Sequence, residues 1–208
     1  FIDQPFDYQQ LASNTDLRIN RIVNSNNMYM YGFKRWLLAN AFVEYSFLKY
    51  FKFRVQGGLT ETNLNFERFN NSKTAAGNPR TQYGSIYGIN GSIDHLNIRN
   101  LLNENLITFN RTFNKKHRID AVGGFTMQRS STEGDGYVSI LLPNEMLGIK
   151  GLDQGTILSK TMSGSYSTLV SSLGRVNYSL NSKYLFTISF RSDGSSKFSP
   201  SKRCGDFP

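Results

Sequence analysis

Cysteine is all but missing from this 208-residue sequence. Cys204 stands alone, so no internal disulfide can form and no cysteine cluster can hold a metal. Histidine is nearly as scarce. His95 and His117 lie far apart in the chain, with no carboxylate or cysteine at ligand spacing, so no metal is expected on them. Long apolar runs are absent too. None approaches the 18 residues of a membrane-crossing helix. The first ten residues, FIDQPFDYQQ, lack the basic start and apolar core of a signal peptide. The chain is therefore expected either not to be exported or to be a piece of something longer.

Enzymatic signatures are missing as well. GSIYGINGS has glycines but no Gly-Lys-Ser/Thr, hence no phosphate cradle, and its Asn90-Gly91 is expected to make a tight turn. STEGDG, Ser131 to Gly136, lacks the spaced acidic pattern of a calcium loop and is expected to be a solvated, flexible loop. No local pattern supports a Ser-His-Asp triad or a carboxylate pair. No catalytic residue, no cofactor and no enzyme activity are expected.

Charge points the same way. The 24 basic and 15 acidic residues give a formal +9, which raises the question of nucleic acid. The basic residues do not cluster, however. Lys52, Arg54, Arg118, Arg175 and Arg191 sit singly or in pairs inside alternating segments, the pattern of a solvated face. No nucleic-acid partner is expected.

What the chain does have is aromatics, 16 Phe and 11 Tyr, in segments of period two. Disordered chains lack such residues. In WLLANAFVEYSF, Leu37, Ala39, Ala41, Val43, Tyr45 and Phe47 share one face, with Trp36, Leu38, Asn40, Phe42, Glu44 and Ser46 on the other. After a short turn, Phe51, Phe53, Val55 and Leu59 share a face against Lys52, Arg54, Gln56 and Thr60. The hairpin recurs in ENLITFNRTF with HRIDAVGGFTMQ. It recurs again in STLVSSLGRVNYSL with KYLFTISF.

Connections alternate in length. Three are tight, near residues 49, 115 and 181. Between them lie long polar stretches, Thr62 to Ser92 and Arg129 to Gly164. Loops this long are uncommon in soluble domains. Short turns on one side and long loops on the other are the layout of an outer-membrane barrel. The expected fold is all-β: an antiparallel up-and-down meander, part of a transmembrane β-barrel with short periplasmic turns and long extracellular loops. Residues 1–28 are expected to form an extracellular loop, and 29–208 six to seven strands. Val43, Tyr45, Phe53, Val55, Phe109, Ala121, Val176, Phe186 and Ile188 are expected to face lipid. The aromatics near the turns would form an interfacial girdle. So few strands cannot close a wide barrel, and eight is about the smallest number that does, so a segment of a larger barrel is expected.

The stretch RSDGSSKFSPSKRCGDFP carries a family resemblance. Arg191, Asp193, Gly194, Ser195, Ser196, Lys197 and Phe198, then Arg203, Gly205, Phe207 and Pro208, resemble a signature of the SusC/RagA-type TonB-linked outer-membrane transporters. LGRVNYSLNSKYLFTISF looks like the strand pair that the family places before it. Cys204 stands where the family usually has an aromatic, and Asp206 where it usually has Tyr.

The resemblance implies a bacterial outer-membrane location and uptake of oligosaccharides or peptides. It also implies a SusD-like lipoprotein partner, outer-membrane lipid around the wall, and drive from the TonB complex. The family's plug domain and TonB box are expected to lie outside this chain. Read physically, Asp193-Gly194 permits a turn with positive φ, and Ser195 and Ser196 can bond freed backbone. Tyr83, Tyr87 and Tyr137, in the long stretches, are candidate contacts for a sugar or peptide substrate. Competing readings are a soluble β-sandwich or adhesin-like binding module and, less well supported, an outer-membrane hydrolase.

Overall fold

The computed structural model describes residues 21–199 and 203–207. The signature's Pro208 and most of the N-terminal segment lie outside them. A short helix α1, Arg21–Asn27, leads into β1, Met28–Phe47. Then come β2, Phe51–Asn70, and helix α2, Gly84–Tyr87. The strands β3, Asn90–Phe113, and β4, His117–Ile140, precede a 3-10 helix at Gly148–Gln154. Last are β5, Thr156–Leu180, β6, Tyr184–Ser195, and β7, Cys204–Phe207. The strands form one seven-stranded sheet in the order β1-β2-β3-β4-β5-β6-β7, an antiparallel meander. A single sheet disposes of the two-sheet sandwich.

The strands are longer than the alternation suggested. Each of β1 to β5 has 20 to 25 residues, about twice the 9–11 that a tilted strand needs to cross a bilayer. The polar stretches expected as loops are about half strand, and the connections shrink to residues 71–89 and 141–155. STEGDG is part of β4 and not a loop. The reason is visible in β2. Its odd-numbered face is apolar from Phe51 to Leu59 and then continues as Glu61, Asn63, Asn65 and Glu67. Backbone pairing persists where the apolar signal stops.

The chain divides into two compact units. One comprises residues up to 34, 63–96 and 134–163; the other comprises 35–62, 97–133 and 164 onward. The first holds the loops. Its small core is Phe69, Leu142 and Leu152, flanked by Ile89, Ile93, Tyr137 and Ile149. The second holds the short turns. Each of these has two consecutive residues at positive φ: Leu48 and Lys49, Asn114 and Lys115, Asn181 and Ser182. Lys116 N donates to Phe113 O (3.1 Å) and Lys183 N to Leu180 O (3.0 Å). The last two are I′ turns, whose twist matches that of the strands, whereas in the first Tyr50 N donates to Leu48 O at 2.7 Å. None contains the glycine such turns favour.

In the turn-bearing unit the two faces separate cleanly. The β5–β6 register pairs Val176 with Ile188 and Tyr178 with Phe186 on the apolar side. On the polar side it pairs Leu173 with Arg191 and Ser171 with Asp193. Of the residues expected to face lipid, Val43, Tyr45, Phe53, Val176, Phe186 and Ile188 are exposed, and Val55, Phe109 and Ala121 half-buried. Near the turns the aromatics touch in a row. Tyr45 stacks on Phe47 and Phe47 on Phe51, and Phe51 meets Phe109 at a tilt of 46°; further along, His117 stacks on Tyr178 and Tyr178 on Phe186.

Candidate functional site

The loop-bearing unit has a cavity of about 500 Å³ on the polar side of β2 and β3. Arg68 and Asn70 reach it from β2 and Asn90 and Ser92 from β3. Ala75 and Tyr83 close it from the 71–89 connection. Strand alternation explains the set, since residues two apart share a face.

Asn90 builds the cavity floor. It is 8% exposed, accepts from Asn70 Nδ2 at 2.9 Å, and donates to Ala76 O at 2.8 Å and Gly88 O at 2.7 Å. One side chain thus pins both ends of the connection to the strand. Asn90-Gly91 is therefore no tight turn. Asn90 opens β3, and Gly91 is needed for close packing, since a Cβ there would lie 2.8 Å from Arg68 O and 2.7 Å from Leu152 Cδ2.

The 71–89 connection is tied on every side. Thr74, wholly buried, donates to Asn71 O (2.8 Å), and Thr81 Oγ1 bonds Ala75 O and Asn78 O. Asn24 of α1 accepts from Ala75 N at 2.7 Å, and Asn27 accepts from Asn71 Nδ2 at 3.1 Å. The 141–155 connection joins in. Glu145 Oε2 accepts from Ser72 N at 2.8 Å, while Leu141 N donates to Tyr87 O and Leu142 N to Ile89 O. The Ser72 amide holds the Glu145 carboxyl below its ordinary pKa, because it bonds only the ionised form well.

The three tyrosines separate. Tyr83, 54% exposed, lines the cavity, and its ring lies 4.4 Å from that of Tyr87. Tyr137 sits on β4 instead, packs on the small core and donates to Leu152 O at 3.2 Å. The sequence reading missed Arg68, Asn70 and Asn90. Arg68 lies over the Phe66 ring at 5.6 Å and, among the described residues, has no carboxylate partner. His95 does meet an acid, Asp135, at 2.9 Å across β3 and β4. Among the described residues no three His, Cys, Asp or Glu side chains gather into a metal-sized group.

No protein-family model matches the sequence. The TonB-dependent receptor P3 of Formosa agariphila is 30% identical over 171 residues, 82% of this chain. The TonB-dependent receptor SusC of Bacteroides thetaiotaomicron is 53% identical over 49 residues, 24% of this chain. The chain belongs to the SusC/RagA group of TonB-dependent receptors. It spans 16% of the length of P3 and 5% of that of SusC. The fold agrees. The solved structure of the RagAB peptide transporter superposes with a TM-score of 0.73 at 18% identity, covering 88% of this chain and 20% of that one.

In this TonB-dependent receptor the signature stretch is a built strand exit. Arg191 Nε donates to Asp193 Oδ1 (2.7 Å) and Oδ2 (3.0 Å), and its guanidinium reaches Ser171 Oγ at 3.5 Å, all on the polar face. Ser171 is 2% exposed. Gly194 does not turn. It stays in β6, paired with Val170 on one side and Cys204 on the other. The turn falls later, at Ser196 to Phe198. Both serines do cap backbone: Ser196 Oγ accepts from Thr168 N (2.8 Å) and Ser195 Oγ from Lys197 N (3.3 Å). Arg203 Nε donates to Phe198 O at 3.3 Å, closing the turn. Gly205 and Phe207 pair with Asp193 and Arg191.

Proposed function

We propose that this segment is wall and outer loops of an outer-membrane importer for oligosaccharides or peptides, energised through TonB and covered by a SusD-like lipoprotein. The observation that carries the reading is the cavity at Arg68, Asn70 and Tyr83, open on the polar face and held by two interlocked connections. Its chemistry suits a polar polymer. Tyr83 offers a ring face with a hydroxyl, and Arg68 offers unpaired donors for a hydroxyl, a peptide carbonyl or a carboxylate. In this reading residues 71–89 and 141–155 face outward, where long barrel loops lie. The plug and TonB box would come from elsewhere in the full-length receptor.

The test uses the full-length receptor carrying Arg68→Gln with Tyr83→Ala. Assembly is checked by heat-modifiable gel mobility, uptake with labelled oligosaccharide and peptide mixtures, and the lid by copurification of the lipoprotein. An assembled barrel with reduced uptake is expected. Unchanged uptake in this variant, and in one with residues 142–154 replaced by a short Gly-Ser link, would reduce the loops to a shield.

A further inference from the structure

The apolar face of the turn-bearing unit carries one cation inside its aromatic row. Arg111 lies on β3 between Phe109 and Phe113 by strand alternation. Its guanidinium sits 4.4 Å over the Tyr50 ring and 4.5 Å over the Phe113 ring. Tyr50 in turn meets the edge of Phe109 at 6.4 Å, so the arginine is seated in a nest of rings rather than waving in solvent. Such seating holds the planar group in place and leaves its N–H donors free along the ring edges.

The surroundings are all of one sign. Each short turn brings lysine: Lys49, then Lys115 and Lys116, then Lys183, whose ammonium lies 5.6 Å over Tyr184. Among the described residues none of these, nor Arg111, has a carboxylate at ion-pair distance. The nearby acids serve the opposite face. Glu44 holds Lys52 at 3.3 Å, and Asp120 holds Arg118 at 2.9 Å and accepts from Asn110. An unpaired, oriented guanidinium among aromatics on a lipid-facing wall, with lysines in the short turns, matches one kind of ligand. That ligand has an anionic phosphate at the polar boundary and apolar chains beside the rings.

We propose that Arg111, with Tyr50, Phe113 and the turn lysines, forms a binding site for the phosphate of a phospholipid whose headgroup carries net negative charge, in the leaflet at the short turns. The proposal rests on the outer-membrane barrel reading above. Arg111 bonds the phosphate oxygens, the lysines supply the surrounding field, and the acyl chains lie along Phe109 and Phe51. A zwitterionic headgroup adds an ammonium that the lysines repel, so selectivity for negative lipid follows.

The experiment places the full-length receptor in nanodiscs of phosphatidylethanolamine, with or without phosphatidylglycerol, and counts retained lipids by native mass spectrometry. The parent retains phosphatidylglycerol, and Arg111→Gln retains roughly fivefold less at equal loading. Inorganic phosphate at millimolar concentration should not displace the lipid, which separates a lipid site from a free-anion site. Equal retention of phosphatidylglycerol by parent and Arg111→Gln overturns the proposal, as does retention of both lipids without preference. If Arg111→Gln does not assemble, Lys115→Gln with Lys116→Gln, in a water-exposed turn, decides by the same comparison. Barrel assembly and outer-membrane fractionation are scored separately. A receptor that fails there overturns the barrel reading, whereas an assembled receptor without lipid preference overturns only this site.

Discussion

The two units differ in whether they bury any of their apolar residues. The turn-bearing unit is rich in Phe, Tyr, Leu, Ile and Val and leaves most of them exposed; Ile188 is 76% exposed and Val43 72%. The loop-bearing unit has fewer, yet Phe69, Leu142 and Leu152, the described hydrophobics that are buried, all belong to it. A soluble domain could not tolerate the first pattern, since contiguous exposed apolar patches beyond a few hundred Å² are rare on monomers. Lipid accepts it, because hydrocarbon is as apolar as the side chains. The loop-bearing unit follows soluble-protein rules instead: a small core, capped turns and side chains bonding backbone.

The largest test of this contrast puts charge on the wall. Ile188→Arg in the full-length receptor should cost roughly 2–4 kcal/mol of barrel stability, as at lipid-facing midplane sites. Normal folding and insertion of that variant, followed by urea unfolding from vesicles, would show that Ile188 does not meet lipid. The matching change in the other unit is Leu152→Ala. Leu152 is 3% exposed in a three-residue core, so about 2–3 kcal/mol is expected. That loss should appear as faster amide exchange in residues 71–89 and 141–155, with the wall strands unchanged. Exchange that rises equally in both units would erase the distinction.

A smaller effect, of opposite sign, is expected at the first turn. Lys49 has φ 59° without being glycine, and a left-handed residue costs roughly 1 kcal/mol. Lys49→Gly should therefore stabilise the β1–β2 hairpin by up to about that amount, read as a higher unfolding midpoint. The smallest effect is one of pH. Because the folded pKa of Glu145 is depressed, its tie to Ser72 contributes fully above the ordinary glutamate value and fades as pH falls through the depressed one. Amide exchange at Ser72, corrected for intrinsic rate, should accelerate on acidification. Glu145→Gln should remove that dependence.

The wall was legible in the sequence because its two faces differ so strongly in composition. Val176 and Ile188 against Arg175 and Ser189 is a contrast that period two exposes at once. The strand ends were not legible for the converse reason. From Glu61 to Glu67 the odd-numbered face turns polar while Leu64 and Phe66 lie on the even-numbered one, so the backbone ladder continues after the earlier pattern has ended. The cavity residues fell in that blind stretch. Carrying the even-numbered register of Arg54, Gln56 and Thr60 forward would have put Arg68 and Asn70 on the polar face from sequence alone. Tyr83 and Tyr137 stand out in the sequence because aromatics are conspicuous among polar residues, but composition does not say that one ring lines a cavity and the other packs beside Leu152. Nor did the sequence separate the glycines. Gly194 looked like a turn and is strand, whereas the turns at Leu48, Asn114 and Asn181 reach positive φ without one.

The bonds from Glu145 to Ser72, from Leu141 to Tyr87 and from Leu142 to Ile89 have a thermodynamic consequence. Neither connection can lift without breaking its bonds to the other, so the two share one opening equilibrium instead of having two. A ligand that prefers the closed form need touch only residues near Tyr83 to draw in the helical stretch at Gly148–Gln154. The leverage it can exert there is limited to the difference in its affinity for the two forms. By the same linkage, a change made at Leu152, which packs against Gly91 of the cavity lining, would alter the apparent affinity of whatever Arg68 holds.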